Sequence, residues 1–204
     1  MTDRETLAYY DAHAAELALR YEALQSPFIE LITATFSAGS RVLDIGCGTG
    51  REVAKLLELG YQAYGVEPSM AMLSAALELH PQLLGRVAPG GLPELVNPFG
   101  GMYEGLLCLA VLMHLERTQL PEALRAMAAL LVSGGRLLIS VPAERPGLTP
   151  AHRDAQGRLF TPLSPDELSA ECARVGLQLV AASDEADSFE REGYRWHQLV
   201  YELR

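Results

Sequence analysis

Apolar residues along this 204-residue chain follow two rhythms, short unbroken runs and faces spaced as on a helix. Leu7, Ala14, Leu17, Ala18, Tyr21 and Leu24 keep roughly helical spacing up to Pro27, which predicts one or two helices; a short helix over 28–36 should follow, ending at Gly39. Arg41-Val-Leu-Asp-Ile45 is an apolar run that enters a glycine loop, as a strand buried on both faces would. A helix over 52–59 stops at Gly60, followed by a strand over 61–66, a helix over 69–80 and a loop at Pro89-Gly90-Gly91-Leu92-Pro93. Strands are predicted over 105–109 and 136–141, separated by a helix that Thr118 can cap and a turn at Gly134-Gly135. Prolines 142, 146, 150, 162 and 165 mark a long irregular insertion. Ser164-Pro165-Asp166-Glu167 then opens a helix to Val175 with a cap, a first-position proline and a third-position glutamate. Two strands, over 177–182 and 195–203, close the chain. The acidic stretch 183–193 between them is too short for a covering helix, so the last strand should run antiparallel.

Strand-helix alternation of this kind predicts an α/β fold, a doubly wound and mostly parallel sheet with an antiparallel last strand and helices on both faces. Ligands then belong at the carboxyl ends of the strands. With 49% apolar residues the chain can bury roughly 70% of its unfolded surface without staples. Its 16 basic and 26 acidic residues, a net charge of −10, argue against an extended phosphate-binding face, so nucleic acid is not an expected partner. The longest apolar stretch, 106–113, is far short of a membrane span, and Cys47, Cys108 and Cys172 form no CxxC pair. A cytoplasmic protein with reduced thiols and no membrane association is expected, and no metal-ligand set is read.

The segment Val42-Leu43-Asp44-Ile45-Gly46-Cys47-Gly48-Thr49-Gly50 carries the most chemical information. It is a strand ending in GxGxG just before a helix, where a ligand can lie against bare backbone at the helix N-terminus. Glu67, 23 residues after Asp44 and at the end of the second predicted strand, is placed to accept both hydroxyls of a ribose. Two details separate the nucleoside ligands. A dinucleotide fingerprint would need glycine at position 51, which is Arg51, so a nicotinamide-dependent oxidoreductase is disfavoured. Asp44 would repel a pyrophosphate but suits an ammonium group, as on a nucleoside bearing an amino acid and a sulfonium.

Here the sequence resembles the class I S-adenosylmethionine-dependent methyltransferases. Asp44-Ile45-Gly46-Cys47-Gly48-Thr49-Gly50 matches the first motif of that family, and Tyr64-Gly65-Val66-Glu67-Pro68-Ser69 its ribose-binding motif. The fourth-strand segment is similar to 103–115, with Glu104 where Asp is usual, and 130–140 resembles the turn and strand that follow. The resemblance runs in order from about residue 7 to the C-terminus. It implies a single small domain with a Rossmann-like, seven-stranded sheet: a helical lid over 1–39, a cofactor-binding half over 40–142, and a substrate-side insertion with terminal helix and strands over 143–204. It also implies S-adenosylmethionine as methyl donor, with S-adenosylhomocysteine as product.

Carried over by position, the resemblance places the methionine moiety on Asp44, Gly46 and Gly48, with Cys47 and Gly50 completing the loop. Glu67, followed by Pro68 and Ser69, would hold the ribose; Met70, with backbone at Gly91 and Leu92, the adenine; and the Leu109 carbonyl the amino group. An Asp that often precedes the adenine loop has no counterpart in Ala88-Pro89-Gly90. Tyr10 and Tyr21 lie in the segment that resembles the lid. Cys47 is read as small-residue packing, not as a nucleophile.

His114, five residues past the end of the fourth strand, is the candidate to take a proton, having an unperturbed pKa near 6.5; alternatively it packs the short helix there. Met113, His152, Arg153 and Arg158 are candidate substrate contacts, Asp154 belongs to the same polar group, and a solvated charge cluster is the competing reading of the insertion. Trp196 and His197 read as core and edge residues of a strand, and 184–187 as a solvated connection. The expected function is methyl transfer to an O, N, C or S nucleophile of a small molecule. A non-catalytic cofactor-binding module, or a protein or RNA acceptor, is the alternative.

Overall fold

Seven strands form one sheet in this computed structural model, which describes residues 3–24, 26–187, 189 and 191–204. They are β1 (Arg41–Ile45), β2 (Gln62–Glu67), β3 (Val87–Pro89), β4 (Tyr103–Leu109), β5 (Leu131–Glu144), β6 (Leu177–Ala186) and β7 (Arg195–Leu203), ordered β3-β2-β1-β4-β5-β7-β6. Strands β1 to β5 pair in parallel, and β7 runs antiparallel to both of its neighbours. The helices are α1 (Arg4–Glu22), α2 (Ile29–Thr35), α3 (Arg51–Glu58), α4 (Met70–Leu79), α5 (Leu120–Ala128) and α6 (Pro165–Ala173). This is the doubly wound, Rossmann-like arrangement that the alternation of strand and helix patterns predicts. No helix among the described residues is long and apolar enough to cross a membrane.

The pleat divides the core. Leu43, Ile45, Leu106, Cys108, Leu137 and Ile139 face one layer, where α5 and α6 contribute Leu124, Met127, Leu168 and Cys172. Their neighbours Val42, Leu107 and Leu138 face the other, against Ile32 and Phe36 at α2 and Val53 and Leu56 of α3. Alternation inside continuously apolar strands thus feeds two cores, as a sheet covered on both faces requires. Helix α1 lies apart from both layers and packs on α4 through Ala14, Leu17 and Met72.

Three local readings are corrected. Gly134-Gly135 makes no turn: β5 runs through it, and its register against β4 jumps from Tyr103 opposite Leu131 to Gly105 opposite Arg136. The surplus residues form a bulge that Gly134 accommodates at φ +75°. Thr118 does not cap α5. Glu116 and Gln119 form a reciprocal box around a single 3-10 turn, and α5 continues from it with Pro121 at its start. Strand β3 was not located by pattern; three residues carry too little alternation, and its last, Pro89, falls in the stretch read as loop. In addition, β6 extends to Ala186, four residues into what reads as a connection. The capping box at Ser164 and Glu167 is present.

Strand order reverses between β1 and β4, so connections leave on opposite sides and a crevice opens at the carboxyl ends of these strands. One glycine tests how tightly the central pair is seated. A Cβ on Gly105 would lie 2.7 Å from Cε1 of Phe36, in the layer under α2. Gly105→Ala should cost about 1–3 kcal/mol in urea unfolding, typical of overpacking. Adding Phe36→Leu should recover part of that loss, whereas strictly additive losses would mean that the ring does not oppose the new methyl.

Candidate active site

A cavity of about 340 Å³ fills the crevice, within the range of small-ligand sites. Its floor is the β1–α3 loop. The N–H groups of Gly46 and Cys47 both donate to the carbonyl of Val66, at 2.7 and 3.1 Å, which folds the loop across the end of β2. Gly46 and Gly48 adopt φ of +74° and +53°, and a Cβ on Gly46 would meet Cγ2 of Val111 at 2.5 Å. Only glycine provides both that turn and bare backbone against the cavity.

Two carboxyl groups flank this floor. Glu67, at the end of β2, accepts the N–H of Ser69 at 2.9 Å and that of Gly48 at 3.0 Å. Burial nevertheless pushes it up to about 7. Asp44 is 3% exposed and lines the cavity, and its carboxyl has no hydrogen-bond partner among the described residues. Burial first, then the charges of Glu52 and Glu67, push it well above the usual carboxylate range. Arg51 pulls the other way but is committed to Glu52 at 2.7 Å.

The roof is α1. Asp3 caps it, and Asp11 accepts from the Ser69 hydroxyl at 2.6 Å. Tyr10 and Tyr21 line the cavity from this helix. His114, on a 3-10 turn after β4, lies against them: its Nδ1 is 2.6 Å from the Leu159 carbonyl and its Nε2 3.1 Å from the Tyr10 hydroxyl. A carbonyl can only accept, so Nδ1 carries the proton and Nε2 accepts from Tyr10. Burial lowers His114 to about 4, which corrects the unperturbed pKa expected from sequence. The ring is therefore a neutral acceptor over the physiological range, and a weaker base than a free imidazole. Just before it, Ala110 holds φ +57° and donates to the hydroxyl of Ser140 at 2.9 Å, a left-handed residue in the cavity wall.

Of the residues singled out in the sequence, Asp44, Gly46, Cys47, Gly48, Glu67 and Pro68 converge on the cavity from the β1 and β2 ends. Gly91, Leu92, Leu109, Met113, His114 and Arg158 converge from the later elements. Cys47 is buried with its sulfur packed toward Gly65, and burial holds its thiol well above its ordinary pKa, in keeping with a packing role. Gly50 and Ser69 stand behind the wall as the caps of α3 and α4. Met70 is misplaced by the sequence reading: it is 61% exposed and outside the cavity, and Met72, one helical step inward, lines it instead. His152 and Arg153 also lie outside. Arg153 grips Asp3 at 2.8 Å and the Gly157 carbonyl at 2.6 Å, fastening the insertion to the start of α1.

Sequence reasoning missed the far wall. Arg145, Phe160, Arg191 and Trp196 all line the cavity. Trp196 is not simply a core residue, since its Nε1 donates to Asp187 at 3.0 Å, and Asp187 is buried and paired with Arg191 rather than solvated. His197 does not sit at a sheet edge, because β7 lies between β5 and β6; its ring pairs with Asp184 of β6. A surplus of arginines near prolines in 142–165 was the available signal for Arg145; nothing local marked Trp196.

A methyltransferase-domain family model matches residues 14–182. An uncharacterised methyltransferase of Geobacillus kaustophilus is 30% identical over 167 residues, covering 77% of this chain and 70% of its own. A ubiquinone biosynthesis O-methyltransferase of Xanthomonas axonopodis pv. citri is 29% identical over 188 residues, covering 84% and 76%. Among solved structures, a Burkholderia thailandensis 1,6-didemethyltoxoflavin-N1-methyltransferase with its acceptor and S-adenosylhomocysteine bound superposes with TM-score 0.77 at 19% identity, over 98% of this chain and 87% of that one. A TehB-like SAM-dependent methyltransferase from Corynebacterium glutamicum gives 0.71 at 20%, over 95% and 99%. With motif order, sheet topology and family match in agreement, the chain belongs to the methyltransferase-domain family and has the fold of its class I S-adenosylmethionine-dependent members.

Proposed function

We propose that this protein transfers a methyl group from S-adenosylmethionine to a nucleophile on a small molecule. The observation that carries the reading is the pair Asp44 and Glu67, two buried carboxyl groups beside a left-handed glycine backbone. Such groups are costly to bury without a cation or hydroxyl donors. An ammonium beside Asp44 and ribose hydroxyls at Glu67 meet both needs, and the bare backbone of Gly46 and Gly48 leaves room for the rest. Bound S-adenosylmethionine would supply a methyl group already activated by sulfonium, so the protein need only align the acceptor for in-line attack.

The chain's own residues then have distinct tasks. Tyr10, Tyr21 and the body of α1 cover the cavity and exclude water. His114, neutral and oriented by Leu159, offers Nε2 as acceptor to an incoming hydroxyl or amine in place of the Tyr10 hydroxyl. Enclosure under α1 and an acidic chain favour a small acceptor over a polyanion; the toxoflavin and ubiquinone enzymes act in small-molecule chemistry as well. The three free, buried thiols suit the cytoplasm.

Isothermal titration with S-adenosylhomocysteine should show specific binding that Asp44→Asn weakens by about tenfold or more, roughly 1.4 kcal/mol. An unchanged affinity would place the ammonium elsewhere. Transfer of label from methyl-labelled S-adenosylmethionine into a small-metabolite extract should be detectable, and binding without any transfer would point to a non-catalytic module.

Glu67 makes a second prediction, on the ligand-free protein. Its folded-state pKa lies above its unfolded value of about 4.5, so ionising it costs stability fully above about pH 7, and the cost vanishes below 4.5. Glu67→Gln should therefore raise cofactor-free stability by roughly 3 kcal/mol at pH 8.5, by only a few tenths at pH 4.5, and by nothing well below it. The same variant should lose affinity for S-adenosylhomocysteine. A pH-independent difference in unfolding midpoints would show that Glu67 titrates normally.

A further inference from the structure

The cavity is divided electrostatically: Asp44 and Glu67 lie at the glycine-loop end, while the wall built by the insertion carries cations. Arg145, the residue after β5, and Arg158 both reach Oδ2 of Asp154, at 2.9 and 2.7 Å. The other oxygen of Asp154 is taken by the N–H groups of Gln156 and Arg158. Two guanidinium groups thus share one carboxylate. The remaining charged side chains of this wall add nothing to the formal balance, since Arg191 pairs with Asp187, and Arg20 is offset by the opposite charge of Glu185, which also lines the cavity. One positive charge is left over among the described residues.

That charge is built into the wall. The Arg145 side chain is only 8% exposed, and its guanidinium carbon sits 3.4 Å from the centre of the Phe160 ring. Its Nε, closed off from the cavity, has no hydrogen-bond partner among the described residues. An incoming acid group would therefore meet the guanidinium through its terminal N–H groups, on the side from which Arg145 lines the cavity. Phe160 in turn stands edge-on to His114, with ring centres 4.9 Å apart, so the Arg145 guanidinium and the proton-accepting histidine flank one aromatic ring.

We propose that the methyl acceptor is a monoanionic, carboxylate-bearing molecule whose acid group is held by Arg145 with Arg158, and whose apolar body rests on Phe160 beside His114. The assignment rests on the methyltransferase reading above. A carboxylate matches a surplus of one charge, whereas a phosphate dianion would leave the wall one cation short. Charge-assisted pairing to a planar guanidinium also supplies the orientation that in-line attack requires.

The test uses the full chain saturated with S-adenosylhomocysteine, whose own binding reports the cofactor site independently. Benzoate, neutral benzamide and phenyl phosphate are titrated by calorimetry into the wild type, Arg145→Gln and Arg145→Lys. Benzoate should bind at least about tenfold more tightly than benzamide. Arg145→Gln should remove that preference while retaining S-adenosylhomocysteine affinity, and Arg145→Lys should keep part of it. Equal affinity for benzoate and benzamide, benzoate binding that Arg145→Gln leaves intact, or no benzoate binding up to its solubility would overturn the proposal. Tighter binding of phenyl phosphate would overturn the carboxylate assignment. If S-adenosylhomocysteine itself fails to bind the wild type, the fault lies with the methyltransferase reading and not with the acid site.

Discussion

Burying carboxyl groups against bare backbone is the constraint around which this molecule is arranged. Asp44 and Glu67 end adjacent parallel strands, and the pairing of Asp44 with Gly65 fixes how far apart their chain positions fall. Parallel strands put both at the same edge of the sheet, and the glycine loop between β1 and α3 leaves no side chain to screen one from the other. The apolar layers under α2, α3, α5 and α6 hold that edge rigid. They do not lower its electrostatic cost, which is why burial raises both groups, reinforced at Asp44 by the charges of Glu52 and Glu67 and at Glu67 by that of Asp11. A site of this kind is unstable in isolation and complementary to a ligand that brings a cation and hydroxyl donors.

The same principle operates with the opposite sign across the cavity. Asp154 cannot neutralise both Arg145 and Arg158, so the far wall retains a cation where the near wall holds two carboxyl groups. Water would screen both walls; enclosure under α1 keeps the fields directed. Tyr10 lies between them, feeling the charge of Glu67 on one side and Arg158 on the other, with its hydroxyl on His114.

How much of this is legible in the sequence depends on the range of the interaction. Asp44, the glycines and Glu67 were readable because their function sits in one strand-loop-helix segment and one strand end, where chain spacing and spatial spacing coincide. Met70 and Met72 show the limit: both lie at the start of α4, and which one turns inward depends on packing against α1, not on local pattern. Arg153 and Arg158 are five residues apart in one polar group. One clamps Asp3 and the other lines the cavity, because the insertion folds back on itself through the bridge of Arg153 with Leu159. Arg145, Asp187 and Trp196 acquire meaning only when the ends of β5, β6 and β7 meet, and no periodicity reports that meeting.

Helix α1 and its cap are attached to several segments of the chain, among them by Asp3 to Arg153, Thr6 to the N–H of Leu159, Tyr10 to His114, Asp11 to Ser69 and Glu22 to Thr49. A lid fastened on one side can swing while its hinge stays closed. This one is fastened along both margins, to the wall that carries the arginines and to the cap of α4 beside Glu67. Displacing it from one margin loads the bonds on the other, so the two halves of the cavity open to solvent together. On the reading proposed above, entry to the acidic end and entry to the basic end are a single mechanical event, which couples the traffic of two chemically unlike ligands without any domain boundary between them.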